Sequence, residues 1–114
     1  MKKDNEATLK ALVAALEEKK AEAVETIDVS NQTPFDDYFL LATAGNPRQL
    51  NALVDAIEEA LEKLGLEIEH RDGTPESGWI ALEADAILVH LFLPEMRESV
   101  GLDKLLEESK RREA

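Results

Sequence analysis

The sequence of 114 residues contains no cysteine, and this absence sets the first limits on its function. Disulfide bonds and cysteine-ligated metal sites are excluded, while residence in a reducing cytosol is allowed. No apolar run approaches the roughly 20 residues that a membrane span needs. The opening Met1-Lys2-Lys3-Asp4-Asn5-Glu6 leads into a polar helix and lacks the apolar core of a secretory signal. We therefore expect a cytoplasmic protein that does not contact membranes.

Basic residues are also scarce, because 13 lysines and arginines stand against 25 aspartates and glutamates, for a net charge of −12. A general nucleic-acid binder is normally basic, so this surface should repel RNA on average. A basic protein partner fits better, since opposite fields steer association. The alternative interpretation is that the acidic charge only keeps the protein soluble. In either case we expect little direct contact with nucleic acid.

Apolar residues make up 44% of the chain and fall into periodic segments, which indicates a folded protein with a core. The pattern predicts an α/β fold, a single-domain mixed five-stranded sheet packed with helices in the order α-β-β-α-β-β-β-α. The domain is predicted to span residues 1–114, with a frayed charged tail at about 108–114. The predicted helices cover about 5–20, 46–64 and 102–106, and the predicted strands cover 24–29, 38–44, 66–70, 79–82 and 86–93.

The clearest boundary is the start of the second helix. Asn46 is a good capping residue, Pro47 fits the first turn, and Gln49 completes a capping-box spacing. Gly65 ends the helix by allowing a left-handed backbone. The strand–helix–strand unit from 38 to 70 predicts a parallel crossover, and the short connection from 82 to 86 predicts an antiparallel hairpin.

Acidic residues raise the hypothesis of a metal-dependent enzyme. Asp36, Asp37 and Asp85 would have to converge on a divalent ion, as in nucleotidyl transfer. Adjacent strand residues point to opposite faces, however, and aspartate is common in turns for local backbone reasons. We therefore expect no metal or cofactor, and keep a metal-dependent nucleotidyltransferase-like enzyme as the alternative hypothesis.

Three further residues admit two interpretations each. Trp79 is either a core residue or an anchor for a protein partner, since tryptophan is enriched at interface hot spots. His90, inside an apolar strand, is more typical of a hydrogen-bonded structural group than of a base or metal ligand. Arg48, in the first turn of a helix, either grips a carboxylate or is simply solvated.

Several segments together resemble the ribosomal silencing factor family, also called Iojap-related proteins. The segments are Phe35-Asp36-Asp37-Tyr38-Phe39-Leu40-Leu41-Ala42-Thr43, Arg48-Gln49, Trp79, Asp85-Ala86-Ile87-Leu88-Val89-His90, and Arg97 followed by Leu102-Asp103-Lys104-Leu105. The resemblance covers about residues 8 to 106. The chain departs from the family pattern at Glu83, Ala84, Ala44, Ser99, Val100 and Leu106.

The resemblance implies a nucleotidyltransferase-like fold and a function that is not enzymatic. A family member binds a basic protein of the large ribosomal subunit, number fourteen in the usual naming, where the subunits meet. It blocks subunit joining sterically, represses translation, and forms a homodimer when free of ribosomes. The predicted partner-binding residues are Asp37, Tyr38, Arg48, Trp79, Asp85, His90, Arg97, Leu102 and Leu105.

Overall fold

A computed structural model describes residues 2–102 and residue 104, with side chains from Asn5 onward. The predicted frayed tail lies outside the described residues. The helices are α1 (Lys2–Glu18), α2 (Pro47–Lys63) and α3 (Pro94–Val100). The strands are β1 (Glu22–Asp28), β2 (Tyr38–Thr43), β3 (His70–Thr74), β4 (Trp79–Ala84) and β5 (Ile87–Phe92), with one 3₁₀ turn (Pro75–Ser77) between β3 and β4. The predicted fold class and order of elements are confirmed.

The five strands form one mixed sheet in the order β1-β2-β5-β4-β3. β2 and β5 pair in parallel, and the other three pairs are antiparallel. The most apolar strand, β5, is central, because a strand buried on both faces needs apolar side chains on both. β3 runs parallel to β2 as predicted, yet it lies at the far edge of the sheet. α2 therefore crosses over β5 and β4 to reach it.

One face of the sheet packs against α1 and α2 and forms the main core. Alternate strand residues such as Leu40, Leu82 and Val89 point to this side, since side chains alternate along a strand. Leu12 and Leu16 of α1 meet them, together with one apolar stripe of α2: Leu50, Leu53, Val54, Ile57 and Leu61. Burying each such side chain contributes about 1.5–3 kcal/mol. This packing holds the sheet rigidly against α1 and α2. The side chains on the opposite face of the sheet therefore lie on a rigid support.

The start of α2 follows the sequence prediction with one difference. The Asn46 side chain accepts a hydrogen bond from the Gln49 backbone at 2.8 Å, and Pro47 occupies the first turn. The Gln49 side chain accepts from the Gly45 backbone at 2.7 Å, and so does not close the capping box on Asn46. It also donates to the Lys19 and Lys20 carbonyls, at 3.4 and 3.3 Å. The residue thus joins the end of α1 to the start of α2.

The predicted strand at 66–70 was placed wrongly. Leu66 and Ile68 pack partly against the core without forming a strand. β3 begins only at His70 and is exposed at every position. It forms by backbone pairing with β4, from His70 opposite Glu83 to Thr74 opposite Trp79. An exposed edge strand needs no apolar alternation, and periodicity therefore could not reveal it.

A short helix that the sequence did not predict, α3, lies between β5 and the helix predicted at 102–106. Pro94 ends β5 as expected, but it opens α3 as well, because proline suits the first turn of a helix. Gly101 caps the other end in a left-handed conformation with φ 63°. Leu102 and Lys104 are helical, while Leu105 and Leu106 of the predicted helix lie outside the described residues.

Gly73 holds β3 close to β4, and its replacement should be costly. It has φ +90°, and an added Cβ would lie 2.0 Å from the Trp79 carbonyl oxygen. Gly65 has a similar φ of +75°, with nothing within 4 Å of the added Cβ. We expect Gly65→Ala to lower the free energy of unfolding by about 1 kcal/mol through backbone strain, and Gly73→Ala by about 2–3 kcal/mol. Urea unfolding measures both, and equal losses would contradict the close approach.

Candidate functional site

The sheet face opposite α1 and α2, here called the open face, is only partly covered. Met96 and Val100 of α3, with Leu102, pack over one end of it, against the buried Phe92 and Leu41. The remaining apolar residues on this side are half-buried: Phe39, Trp79, Ala81 and Leu88. An apolar sheet surface left accessible on a folded domain is typical of a binding surface.

The open face carries an array of aromatic rings around His90. Trp79 stacks on Phe92 with ring centroids 5.3 Å apart, and Phe92 lies 6.0 Å from His90 at an interplanar angle of 11°. Phe39 meets His90 edge-on at 5.1 Å. The Trp79 indole Nε1 donates a hydrogen bond to His90 Nδ1 at 3.2 Å. The ring of Trp79 is therefore held in place with its polar group satisfied, so a partner meets a preorganised apolar surface.

A shallow cavity of about 380 Å³ lies beside this indole. Its other walls come from Asp72 and Gly73 on β3, Ser77 in the 3₁₀ turn, Ala81 on β4 and Met96 on α3. Small residues beside a fixed aromatic ring leave room for an apolar side chain from outside. The cavity thus extends the open face toward the edge of the sheet.

His90 is a buried group that stays neutral. Only 6% of it is exposed, and this burial lowers its pKa to about 4, against a smaller opposing effect of the Asp36 charge. Since Nδ1 accepts from Trp79, the ring proton belongs on Nε2, which is buried and has no partner. The histidine thus supports Trp79, in agreement with the structural interpretation of its position.

Asp36 and Glu83 form a second feature of the open face, here called the carboxyl pair. Asp36 precedes β2 and is 7% exposed, while Glu83 lies on β4. Burial raises the pKa of Glu83 to about 8, helped by its side-chain hydrogen bond to Asp36 and by the charges of Asp36 and Glu69. With its pKa raised to about 8, Glu83 is mostly protonated at neutral pH and can donate a hydrogen bond to the neighbouring Asp36 carboxylate.

This pair predicts how stability depends on pH. Glu83 loses its proton near pH 4.5 when unfolded but near 8 when folded, so its stabilising effect is complete below 4.5 and lost as pH rises to 8. His90 acts in the opposite sense, because its folded pKa is lowered from 6.5 to about 4. Its contribution is present above pH 6.5 and is lost as pH falls to 4. The two trends offset each other between pH 4.5 and 6.5.

Of these two trends, that of Glu83 is the one that remains above pH 6.5. We therefore expect the free energy of unfolding to fall between pH 6.5 and 8. Urea unfolding at several pH values in this window measures the slope, and Glu83→Gln should remove it. A wild-type slope that the variant keeps would contradict the assignment.

Asp37 and Asp85 form hydrogen bonds with α1, on the other side of the sheet from the carboxyl pair. Asn5 of α1 donates its side-chain amide to Asp37 Oδ2 at 2.8 Å and to the Asp85 carbonyl at 3.0 Å. Thr8 donates to Asp85 Oδ2 at 2.7 Å. Asp37 thus points toward α1, while Asp36 lies near Glu83 and His90 of the open face. Within residues 2–102 and 104, no three carboxylate or imidazole side chains are arranged to hold a metal ion.

Comparison with known proteins supports the family resemblance. The model of the family described as "Ribosomal silencing factor during starvation" matches residues 2–114. The chain belongs to this family. The ribosomal silencing factor of Bacillus subtilis is 27% identical over 97 residues, covering 85% of this chain and 82% of the relative. That of Zymomonas mobilis is 26% identical over 102 residues, covering 90% and 77%.

Solved structures agree with this assignment. A Chromobacterium violaceum protein superimposes with a TM-score of 0.85 at 25% identity, covering 90% of this chain and 85% of that one. A Bacillus halodurans protein gives a TM-score of 0.79 at 26% identity, covering 89% and 94%. The mouse relative, 28% identical over 100 residues, is named "Mitochondrial assembly of ribosomal large subunit protein 1". This chain spans 42% of that protein.

The residues predicted from the silencing-factor resemblance do not form one cluster. Trp79, His90 and Leu102 lie on the open face. Tyr38 packs against the core on the helix side of the sheet. Asp37 and Asp85 also lie on this side, where they accept hydrogen bonds from α1. Arg48 is exposed in the first turn of α2, and Leu105 lies outside the described residues.

The Arg97 side chain forms its contacts within the fold. Its guanidinium donates to the Ala23 carbonyl at 2.7 Å and to Thr43 Oγ1 at 2.8 Å, and lies 3.6 Å from Glu25 Oε1. These contacts hold α3 against β1 and β2. They fix the end of the open face that Met96 and Val100 cover.

Sequence reasoning missed Glu83 as a site residue and considered Asp36 only as a metal ligand. The available signal was the period of two along β4, which places Glu83 on the same face as Trp79 and Ala81. A charged residue on an otherwise apolar face is informative, because burial of a charge is costly. The pairing with Asp36 depends on the sheet order and was not visible in the sequence.

No helix among the described residues is both long enough and apolar enough to cross a membrane.

Proposed function

We propose that the protein binds the large ribosomal subunit through its open face and prevents the small subunit from joining, which represses translation. The partner in this proposal is a basic ribosomal protein, number fourteen of the large subunit, at the face where the subunits meet. The observation that carries the proposal is the partly exposed Trp79 surface on a chain that belongs to the ribosomal silencing factor family.

Charge and relatives support the choice of partner. The net charge of −12 favours a basic protein over exposed RNA, because complementary fields speed encounter and like charges oppose it. The mouse relative carries the large ribosomal subunit in its name. Together these observations favour docking on a protein component of the large subunit.

The mechanism is steric occlusion, which requires affinity and bulk but no bond chemistry. A stable interface buries about 800 Å² on each partner. The aromatic array and the adjoining cavity supply a rigid apolar centre for such a contact, and hydrogen-bonded Trp79 loses little freedom on binding. The three helices on and beside the sheet then stand between the two subunits. The protein therefore acts without a catalytic group.

We also propose that the protein is a homodimer when free of ribosomes. β1 and β3 lie at the two edges of the sheet, and the open face is only partly covered, so surfaces for a second copy exist. Light scattering coupled to size exclusion measures the mass in solution. A mass that stays at one chain at ~100 µM would overturn this part of the proposal.

The test of the main proposal is co-sedimentation of the purified protein with separated bacterial ribosomal subunits. We expect the protein to sediment with the large subunit and not with the small one at about micromolar concentration. The control is Leu64→Ala, which alters an exposed apolar residue at the end of α2, away from the open face. Absence of binding to both subunits, or equal binding to both, would overturn the proposal.

A further inference from the structure

The cavity beside Trp79, here called the indole cavity, lies at a gap in the side-chain layer of the open face. On β4, Ala81 stands between Trp79 and Glu83 on the same side of the sheet. Its neighbours across the strands are Asp72 on β3 and His90 on β5. A methyl group among four longer side chains leaves a depression, and Ala81 accordingly lines the cavity of about 380 Å³.

The indole cavity lies on the side of the Trp79 ring away from Phe92. β3 and β5 flank β4 on its two sides. Phe92 of β5 stacks on the indole, with ring centroids 5.3 Å apart, whereas Asp72 and Gly73 of β3 line the cavity. The hydrogen bond from the indole Nε1 to His90, at 3.2 Å, holds the ring in place. One side of a fixed indole is thus available to a group that enters the cavity.

Asp72 gives this otherwise apolar cavity a negative charge, since the other described residues that line it are uncharged. The Asp72 side chain is 77% exposed, and its Oδ2 lies 3.3 Å from Nε2 of His70, whose side chain is 72% exposed. A contact as exposed as this is weak, because water competes for both groups. The carboxylate can therefore accept hydrogen bonds from an incoming cation at little cost.

The arginines of β3 and α3 do not fill this site. Arg71 stands opposite Leu82, whose side chain belongs to the helix-side core, so Arg71 lies on the other side of the sheet from Asp72. Arg97 donates to the Thr43 hydroxyl at 2.8 Å. Within residues 2–102 and 104, no lysine or arginine forms an ion pair with Asp72. A cation bound there must therefore come from another molecule.

We propose that the indole cavity is a receptor for one arginine side chain of a basic partner. The methylene groups of this arginine pack against Ala81 and Met96, and its guanidinium stacks on the Trp79 indole and donates to both carboxylate oxygens of Asp72. Arginine fits better than lysine, because a flat guanidinium can stack on an aromatic ring and form two parallel hydrogen bonds with one carboxylate. The net charge of −12 favours a cation over a neutral group. The inference rests on the proposed function for the identity of the partner.

The first test does not require the ribosome, because Trp79 is the only tryptophan in the chain and its fluorescence reports on the cavity. The protein is titrated with N-acetyl-arginine amide up to ~20 mM at constant ionic strength. We expect a saturable change in emission, and none with the citrulline analogue, which has a similar shape and no charge. Asp72→Asn should weaken binding of the arginine probe at least about fivefold. Asp55→Asn, the same change at an exposed position of α2, should leave it unaltered.

The probe titration contradicts the inference in several ways. An arginine probe without effect, equal effects of the arginine and citrulline probes, or an Asp72→Asn variant that responds as wild type would each overturn the receptor. N-acetyl-lysine amide is the remaining probe. If it binds as tightly as the arginine probe, the choice of arginine is wrong, because the stack on Trp79 then adds nothing.

The second test measures the affinity of variants for purified large subunits. Asp72→Asn removes the charge, Ala81→Leu fills the depression, and Asp55→Asn is again the control. We expect both cavity variants to bind at least about fivefold more weakly than wild type, and the control to bind as wild type. Asp72 is exposed, so its variant keeps the test valid even if Ala81→Leu does not fold. Amide NMR spectra establish which variants are folded.

The outcomes separate the two proposals. Wild type that binds large subunits no more tightly than folded Asp72→Asn overturns the receptor and leaves the proposed function in place. Wild type that binds no large subunit overturns the proposed function. In that case the probe titration alone decides whether the indole cavity receives an arginine.

Discussion

Replacement of Trp79 by alanine is expected to weaken binding to the large ribosomal subunit by at least about 30-fold, or roughly 2 kcal/mol. Trp79 is half-buried in the free protein, stacked on Phe92 and hydrogen-bonded to His90. A rigid tryptophan on an apolar face loses little freedom on binding and buries a large area. Its removal also leaves His90 Nδ1 without a donor, which disturbs the surface around it.

The measurement is a titration of fluorescently labelled protein with purified large subunits. Two variants calibrate it. Trp79→Phe keeps the ring but loses the hydrogen bond, so its affinity should lie between wild type and Trp79→Ala. Leu64→Ala removes an exposed apolar side chain on the helix side and should bind as wild type. Folded Trp79→Ala that binds within about twofold of wild type would show that Trp79 is not at the interface.

Replacement of Phe92 by alanine should lower the free energy of unfolding by about 3–5 kcal/mol. Phe92 lies on the central strand with no exposed surface, and it supports both Trp79 and His90 from beneath the open face. The loss combines the apolar area returned to water with the cavity that a close-packed interior cannot refill. The same replacement would remove the ring on which Trp79 and His90 pack.

Phe35 offers a matched control for this prediction. Its side chain is 82% exposed in the loop before β2, so Phe35→Ala removes the same atoms with no cavity. We expect the unfolding free energy of this variant to stay within about 0.5 kcal/mol of wild type. Urea unfolding followed by circular dichroism compares the two. Similar losses for both variants would contradict the burial of Phe92.

The sequence predicted the buried elements most reliably, because burial requires apolar residues at regular positions. β2 and β5 read as apolar runs because both of their faces are covered, and α2 showed its apolar stripe and its Asn46 cap. The hairpin between β4 and β5 followed from the short connection at Asp85. There both Asp85 and Ala86 adopt left-handed φ values of 52° and 60°, as a two-residue hairpin turn requires.

The elements that were misplaced depend on contacts distant in sequence. β3 is exposed at every position, and it forms because its backbone pairs with the edge of β4. α3 is short, and its signals at Pro94 and Gly101 were outweighed by the apolar spacing at Leu102 and beyond. The carboxyl pair joins residues 36 and 83 across the parallel β2–β5 pairing, and that pairing was not predicted. Tertiary context therefore determined the features that matter most for the site.

The most direct test of the central claim, that the open face docks on the large subunit and blocks joining, is light scattering of subunit association. Large and small bacterial subunits are mixed with increasing wild type, Trp79→Ala or Leu64→Ala protein. The account predicts that wild type and Leu64→Ala slow and reduce association to the same extent, while Trp79→Ala needs at least about 30-fold more protein. Undiminished association at saturating wild type, or equal inhibition by Trp79→Ala, would contradict it.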